Sequence, residues 1–157
     1  MPSANSSRFE TFAFLYARVA LGTAFLSAVA SRFGLWHGTL GLDSFATFTR
    51  YTAEVNSFMP AASIPYLAWA ATVAESTLGI SLIAGIRLRW TALGSALLMA
   101  VFGTAMALSL GLKSPLDYSV FSASAGALLL AACESRRSGG PSAIKTTHRL
   151  SCPTEVL

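Results

Sequence analysis

The 157-residue chain is 54% hydrophobic and only 11% charged, a balance far from that of soluble domains, and its length suits one domain. Its formal net charge of +4 comes from basic residues that flank apolar segments and form no continuous stripe. This distribution excludes a nucleic-acid-binding surface and favours an integral membrane protein.

Four apolar segments predict transmembrane helices, because about 20 apolar residues cross the hydrocarbon core of a bilayer. They are Phe12 to Ser31, Ile64 to Ile86, Trp90 to Leu112 and Leu116 to Cys133. Short connections at Arg87 to Arg89 and at Lys113 to Pro115 require neighbouring segments to run antiparallel. The predicted fold is all-α, an up-and-down four-helix transmembrane bundle over residues 11–133.

A short helix is predicted between the first and second spans. The segment from Asp43 to Asn56 places four apolar side chains at helical spacing, with Asp43 or Ser44 as its N-cap. These are Phe45, Phe48, Tyr51 and Val55. The polar residues fall mainly on the opposite side, which predicts an interfacial helix at the membrane surface.

The ends of the chain are predicted to be cytoplasmic. Residues 1–10 form a short N-terminus, and residues 134–157 have no sustained apolar period and predict a flexible tail. With both ends inside, seven basic residues lie on the cytoplasmic side and three outside, as positive-inside topology requires in a bacterial-type cytoplasmic membrane. The seven are Arg8, Arg87, Arg89, Arg136, Arg137, Lys145 and Arg149, and the three are Arg32, Arg50 and Lys113. Glu10 and Arg18 argue against a cleaved secretory signal.

The cysteines and histidines predict no cofactor site of their own. Cys133 and Cys152 form no Cys-x-x-Cys pair, so thiol-disulfide chemistry is not expected. His37 and His148 fall on opposite sides of the predicted membrane and cannot ligate a haem together. No metal site is predicted.

Two charged residues interrupt the apolar spans. Glu75 lies near the middle of the second span and Arg18 lies within the first. A charged residue at the centre of a span costs about 2.5 to 3.5 kcal/mol, so each needs a partner. We expect Arg18 and Glu75 to pair as the catalytic residues, with Thr72, Ser76 and Thr104 as substrate-binding neighbours. The alternative is a pair that only fixes helix register.

Asp117 is a further candidate for substrate binding, with a simpler alternative. Ser114, Pro115 and Asp117 have the order of an N-cap, a first-turn proline and an acidic third residue, so a capping box accounts for Asp117 without any chemistry. Small residues at four-residue spacing in the first and fourth spans predict helix-helix packing contacts. These are Ala20, Ala24 and Ala28, and Ser119, Ala123 and Ala127.

Several motifs resemble the DoxX family of small four-helix membrane proteins, which is related to DoxD and MauE. The motifs are Arg18 with Gly22, "SRFG" at the end of the first span, "AESTLGISLIAGIRLR" from Ala74 to Arg89, and "KSPLDYSVFSASA" from Lys113 to Ala125. The resemblance extends from about Arg18 to Ser124. Its "PLDYSVF" segment is fairly specific to one subgroup of the family.

The resemblance implies redox work at the membrane, since the family includes subunits of thiosulfate:quinone oxidoreductase and proteins that associate with oxidative-stress enzymes. We therefore expect an accessory or quinone-facing subunit that binds no cofactor of its own except a quinone, with a redox protein or a second copy as partner. Two other classes stay open: a small proton-coupled permease, and a scaffold or assembly factor without its own activity. The residues alone do not decide whether the chain is an enzyme.

Overall fold

The computed structural model describes residues 4–35 and 44–138, and every regular element in these ranges is helical. The elements are α1 (Ala4–Arg32), α2 (Phe45–Val55), a 3-10 turn (Ala61–Ser63), α3 (Ile64–Ala84), α4 (Leu88–Leu110), α5 (Lys113–Asp117) and α6 (Val120–Ser138). The all-α prediction is therefore confirmed for the described residues. Predictions about His37, Asp43, Lys145, His148, Arg149, Cys152 and the tail beyond Ser138 lie outside them.

Three of these helices are long and apolar enough to cross a bilayer. They cover Arg8–Arg32, Ala61–Ala84 and Leu88–Leu110. Many large apolar side chains on them are exposed on the outside of the fold, among them Phe12, Trp69 and Leu97. This arrangement suits lipid on the outside rather than water, and the chain is an integral membrane protein.

Glycine contacts hold α1 against α3. A Cβ atom added at Gly22 would lie 2.9 Å from the carbonyl oxygen of Gly79, and one added at Gly79 would lie 3.1 Å from that of Gly22. The two backbones therefore meet where neither residue has a side chain, as small residues allow in membranes. Arg18 of α1 reaches Ile83 near the end of α3, and Arg32 at the end of α1 reaches Thr72 nearer the start of α3, so the two helices run antiparallel.

A second antiparallel pair is formed by α4 and α6. The Ser124 hydroxyl donates to the carbonyl oxygen of Ala96 across 2.8 Å, and the ring of Phe121 fills the space above Gly103. Nearer the other end, α4 and α6 contribute to one buried apolar cluster with α1 and α3. Its buried members are Phe25, Leu82, Leu88, Ala92, Leu130 and Ala131.

The short helix α2 confirms the prediction for the first connection. Ser44 is its N-cap, with its hydroxyl accepting from the backbone N–H of Thr47 at 3.2 Å. Phe48, Thr52 and Val55 are buried, because α2 packs on α3 and α4 at one end of the fold. Helix α2 thus packs against α3 and α4, and its predicted position at the membrane surface stays a prediction.

The predicted fourth segment differs in three ways from the expectation. It is divided into α5 and α6, because the chain turns at Ser119, whose φ is +54°. The predicted capping box is wrong: Leu112 precedes α5, no side chain caps it, and Asp117 at its end pairs with Lys113 one turn earlier. Helix α6 continues to Ser138, beyond the predicted end at Cys133.

Candidate functional site

Glu75 is buried near the middle of α3, and its partner is Arg32 at the end of α1. Only 2% of Glu75 and 6% of Arg32 are exposed. One guanidinium nitrogen, Nη2 of Arg32, donates to both carboxylate oxygens, at 2.8 Å to Oε1 and 2.7 Å to Oε2. A charge-assisted contact of this length neutralises two groups that would each be costly in an apolar environment.

Two further residues complete the surroundings of Arg32. Its Nη1 donates to the Thr72 hydroxyl at 3.0 Å, and that hydroxyl donates in turn to the carbonyl oxygen of Ala68. The ring of Phe48 lies against the guanidinium, with its centroid 3.5 Å from Cζ. Because Phe48 belongs to α2, the cation-π contact joins α2 to the ion pair between α1 and α3.

The predicted pair of Arg18 with Glu75 is wrong. Arg18 Nη2 instead donates to the carbonyl oxygen of Ile83 at 3.0 Å, at the C-terminal end of α3. There the cation meets carbonyl groups that the helix itself cannot satisfy. Gly85, with φ of +76°, leaves room for it, since a Cβ atom there would lie 2.8 Å from Arg18 Nη1.

The direction of helical side chains explains this exchange of partners. Every Cα–Cβ bond in a helix tilts towards the N-terminus. Because α1 and α3 are antiparallel, Arg32 leans back along α1 while Glu75 leans towards the start of α3, and the two side chains converge. Arg18 and Glu75 lean away from each other. Spacing along the chain does not contain this directional information.

The ion pair lines a cavity of about 410 Å³ between α1, α2, α3, α4 and α6. Its polar lining consists of Arg32, Glu75, Tyr51 and Tyr118, and the rest is apolar apart from the backbone. We call it the polar cavity. Its size and its few converging polar groups are typical of small-molecule sites.

Tyr51 supplies a phenol to this cavity from α2. Burial raises the pKa of Tyr51, and the nearby Tyr118 and Glu54 raise it further. The hydroxyl group therefore stays protonated at neutral pH and can donate a hydrogen bond.

The other predicted site residues lie in different places. Ser76 is next to Glu75, but its hydroxyl donates to the carbonyl oxygen of Thr72 within α3. Thr104 is exposed and donates to Ala100 within α4. Asp117 is exposed and paired with Lys113, whose pKa this contact raises; the next residue, Tyr118, lines the cavity instead.

Sequence reasoning missed four residues of this site. Arg32 is part of the "SRFG" motif, but from the sequence it was interpreted only as one of the three basic residues predicted to lie outside the membrane. Phe48 and Tyr51 were assigned to the apolar side of α2, and Tyr118 was quoted only within a motif. The signal for Arg32 was its position at the end of α1, from where a long side chain reaches back into the bundle.

Residues 4–35 and 44–138 contain no group of three or more His, Cys, Asp or Glu side chains placed to hold a metal ion. The polar cavity offers a single carboxylate, which the guanidinium of Arg32 already engages. Its residues are better suited to hydrogen bonding an uncharged polar group within an apolar enclosure.

The fold and the buried pair define a helical membrane protein with a polar cavity among its helices. Comparison with family models assigns it more closely: the chain belongs to the DoxX family, whose model matches residues 13–108. This range contains the ion pair, Thr72, Phe48 and Tyr51, and it ends before Tyr118 and the "PLDYSVF" segment. Neither the curated proteins nor the solved structures compared with the chain gave a match.

Proposed function

We propose that the chain is a quinone-facing accessory subunit of a membrane-associated oxidoreductase. The observation that carries the proposal is the polar cavity, in which a buried arginine–glutamate pair and two tyrosines face an otherwise apolar space. A quinone ring has this combination of properties, with carbonyl oxygens that accept hydrogen bonds on a flat apolar body. The family supports redox work at the membrane.

Three residues of the polar cavity have separate roles in this proposal. Tyr51 and Arg32 donate hydrogen bonds to quinone carbonyl oxygens, and Glu75 carries a proton to or from the ring. Reduction of a quinone to a quinol takes up electrons and protons in equal number, and in this proposal a partner redox protein supplies the electrons. The chain then contributes binding, orientation and proton transfer.

The proposal includes a complete four-helix transmembrane bundle with α6 as the fourth span. Support comes from the antiparallel contact of α6 with α4 along its length, including the bond from Ser124 to Ala96.

The proposal also includes cytoplasmic termini. The ends of α3 and α6 and the starts of α1 and α4 point to the same side of the fold, which carries five exposed arginines: Arg8, Arg87, Arg89, Arg136 and Arg137.

Electron transfer in membranes lacking the native chain tests this function. Glu75→Gln, at matched abundance, is expected to lower quinone reduction by about a hundredfold, the scale of a lost acid-base group. Asp117→Asn is the control, because this exposed carboxylate lies outside the cavity lining. Full activity of Glu75→Gln would contradict the role of this residue.

The same variants distinguish the other two classes. A permease would show proton flux or uptake in sealed vesicles that depends on Glu75 and needs no redox partner. A scaffold would tolerate Glu75→Gln once its expression was matched. Either result would replace the quinone proposal.

A further inference from the structure

A second cavity of about 330 Å³ adjoins the polar cavity between α2, α3 and α4. Four residues line both: Phe48, Tyr51, Phe102 and Met106. These side chains lie at the border of the two spaces. We call the second one the apolar cavity.

The lining of the apolar cavity offers no charged group. Its polar residues outside the shared set are Thr52 and Asn56, and both donate within their own helix. The Thr52 hydroxyl donates to the carbonyl oxygen of Phe48 at 2.8 Å, and the Asn56 amide donates to that of Thr52 at 2.9 Å. The cavity is therefore suited to hydrocarbon rather than to a polar ligand.

The apolar cavity also reaches the outside of the fold. Its lining includes Ala70 and Val101, and both are exposed on α3 and α4, Val101 to 55%. These helices are spans, so their exposed surface faces lipid. A chain of methylene groups lying in this cavity would thus have one end at the polar cavity and the other at the bilayer.

From this shared lining and the opening to lipid we infer that the ligand is amphipathic and membrane-borne, with its ring in the polar cavity and its apolar tail passing between the shared side chains into the apolar cavity and leaving between α3 and α4. The inference rests on the proposed function, and it adds the ligand class and the path of the tail. Transfer of a tail from lipid to protein gains little free energy, because lipid is equally apolar. The apolar cavity therefore contributes little binding free energy. Its role is to provide space for the tail, so that a ligand with a tail binds without a steric clash.

A bulky residue at Ala71 tests the path. Ala71 lines the apolar cavity from α3 and is absent from the lining of the polar cavity. The probes are decyl-substituted and methyl-substituted benzoquinone, and the readout is thermal stabilisation of the purified full chain against the quinone-to-detergent ratio. Ala71→Phe is expected to weaken binding of the decyl compound by about tenfold and to leave that of the methyl compound unchanged.

Val73→Phe is the matched control, since Val73 is 58% exposed on the same helix and lines neither cavity. It should change binding of neither probe. Ala71→Leu is the milder replacement should Ala71→Phe reduce the yield of folded protein.

The outcomes separate the two proposals. Unchanged binding of the decyl compound to folded Ala71→Phe or Ala71→Leu overturns the tail path and leaves the quinone site intact; the tail would then leave beside the exposed Ala24 and Ala28, which line the polar cavity. Equal weakening of both probes also overturns the division into ring and tail. Failure of the wild-type chain to bind either probe overturns the quinone site itself.

Discussion

Gly22 and Gly79 bring the backbones of α1 and α3 into direct contact, each at the point where a side chain on the other would collide. A methyl group at Gly22 would lie 2.7 Å from Cγ1 of Ile83 as well as 2.9 Å from the carbonyl oxygen of Gly79. The same two helices carry the Arg32–Glu75 pair.

We expect Gly22→Ala to lower the free energy of unfolding by about 1 to 3 kcal/mol, because the added methyl group must push two helices apart. Gly126→Ala is the control, since its methyl group would meet nothing within 4 Å. Alanine also favours the helix, so that variant should be neutral or slightly stabilising. Titration with SDS in mixed micelles measures both. Equal effects would show that α1 and α3 do not touch at Gly22.

The buried ion pair predicts strong coupling between Arg32 and Glu75. Arg32→Gln and Glu75→Gln should each destabilise the protein by about 3 to 5 kcal/mol, because each leaves an uncompensated partner. In the double-mutant cycle the interaction free energy should be about 0.5 to 3 kcal/mol.

The matched control is the cycle of Arg18→Gln with Glu75→Gln. Arg18 binds Ile83, which is roughly 12 Å along α3 from Glu75 at the helical rise per residue. Groups this far apart should give additive effects within about 0.5 kcal/mol. Coupling in this second cycle and none in the first would restore the pair expected from the sequence.

Arg18 is expected to stabilise the end of α3. Arg18→Met keeps much of the length of the side chain but removes the bond to Ile83 and the charge near the helix C-terminus, at a cost of about 1 to 3 kcal/mol. Arg8→Met, at an exposed position on the same helix, should cost much less. Thermal unfolding in detergent compares the two, and similar losses would remove the capping role.

The distribution of basic residues predicts the orientation of the chain. A reporter fused after Leu157 should lie in the cytoplasm, and one inserted near Gly41 should lie on the opposite side. The measurement uses enzymatic reporters that are active on only one side of the membrane. An external C-terminus would place the ion pair near the cytoplasmic face and reverse the assigned topology.

The sequence predicted the helices well because their signal is compositional. Apolar runs, the helical spacing around Phe48 and the N-cap at Ser44 are local features, and the structure contains them. The partner of Glu75 could not be found in this way, since it depends on antiparallel register and on the tilt of Cβ atoms. The position of Asp117 was predicted wrongly because the chain turns at Ser119, which puts Asp117 at the end of α5 rather than in the first turn of a long helix. The positive φ of Ser119 cannot be predicted from the residue types around it.

The contact between Arg32 and Glu75 also bears on how the chain enters the membrane. The anion lies near the middle of the second span, so α3 inserted alone would carry an unmatched charge at a cost of about 2.5 to 3.5 kcal/mol, whereas Arg32 at the end of the first span can reach the membrane interface. When α1 and α3 lie side by side, the charges of Arg32 and Glu75 neutralise each other. Insertion of α3 is therefore less costly beside α1 than alone, because Arg32 then neutralises the carboxylate of Glu75.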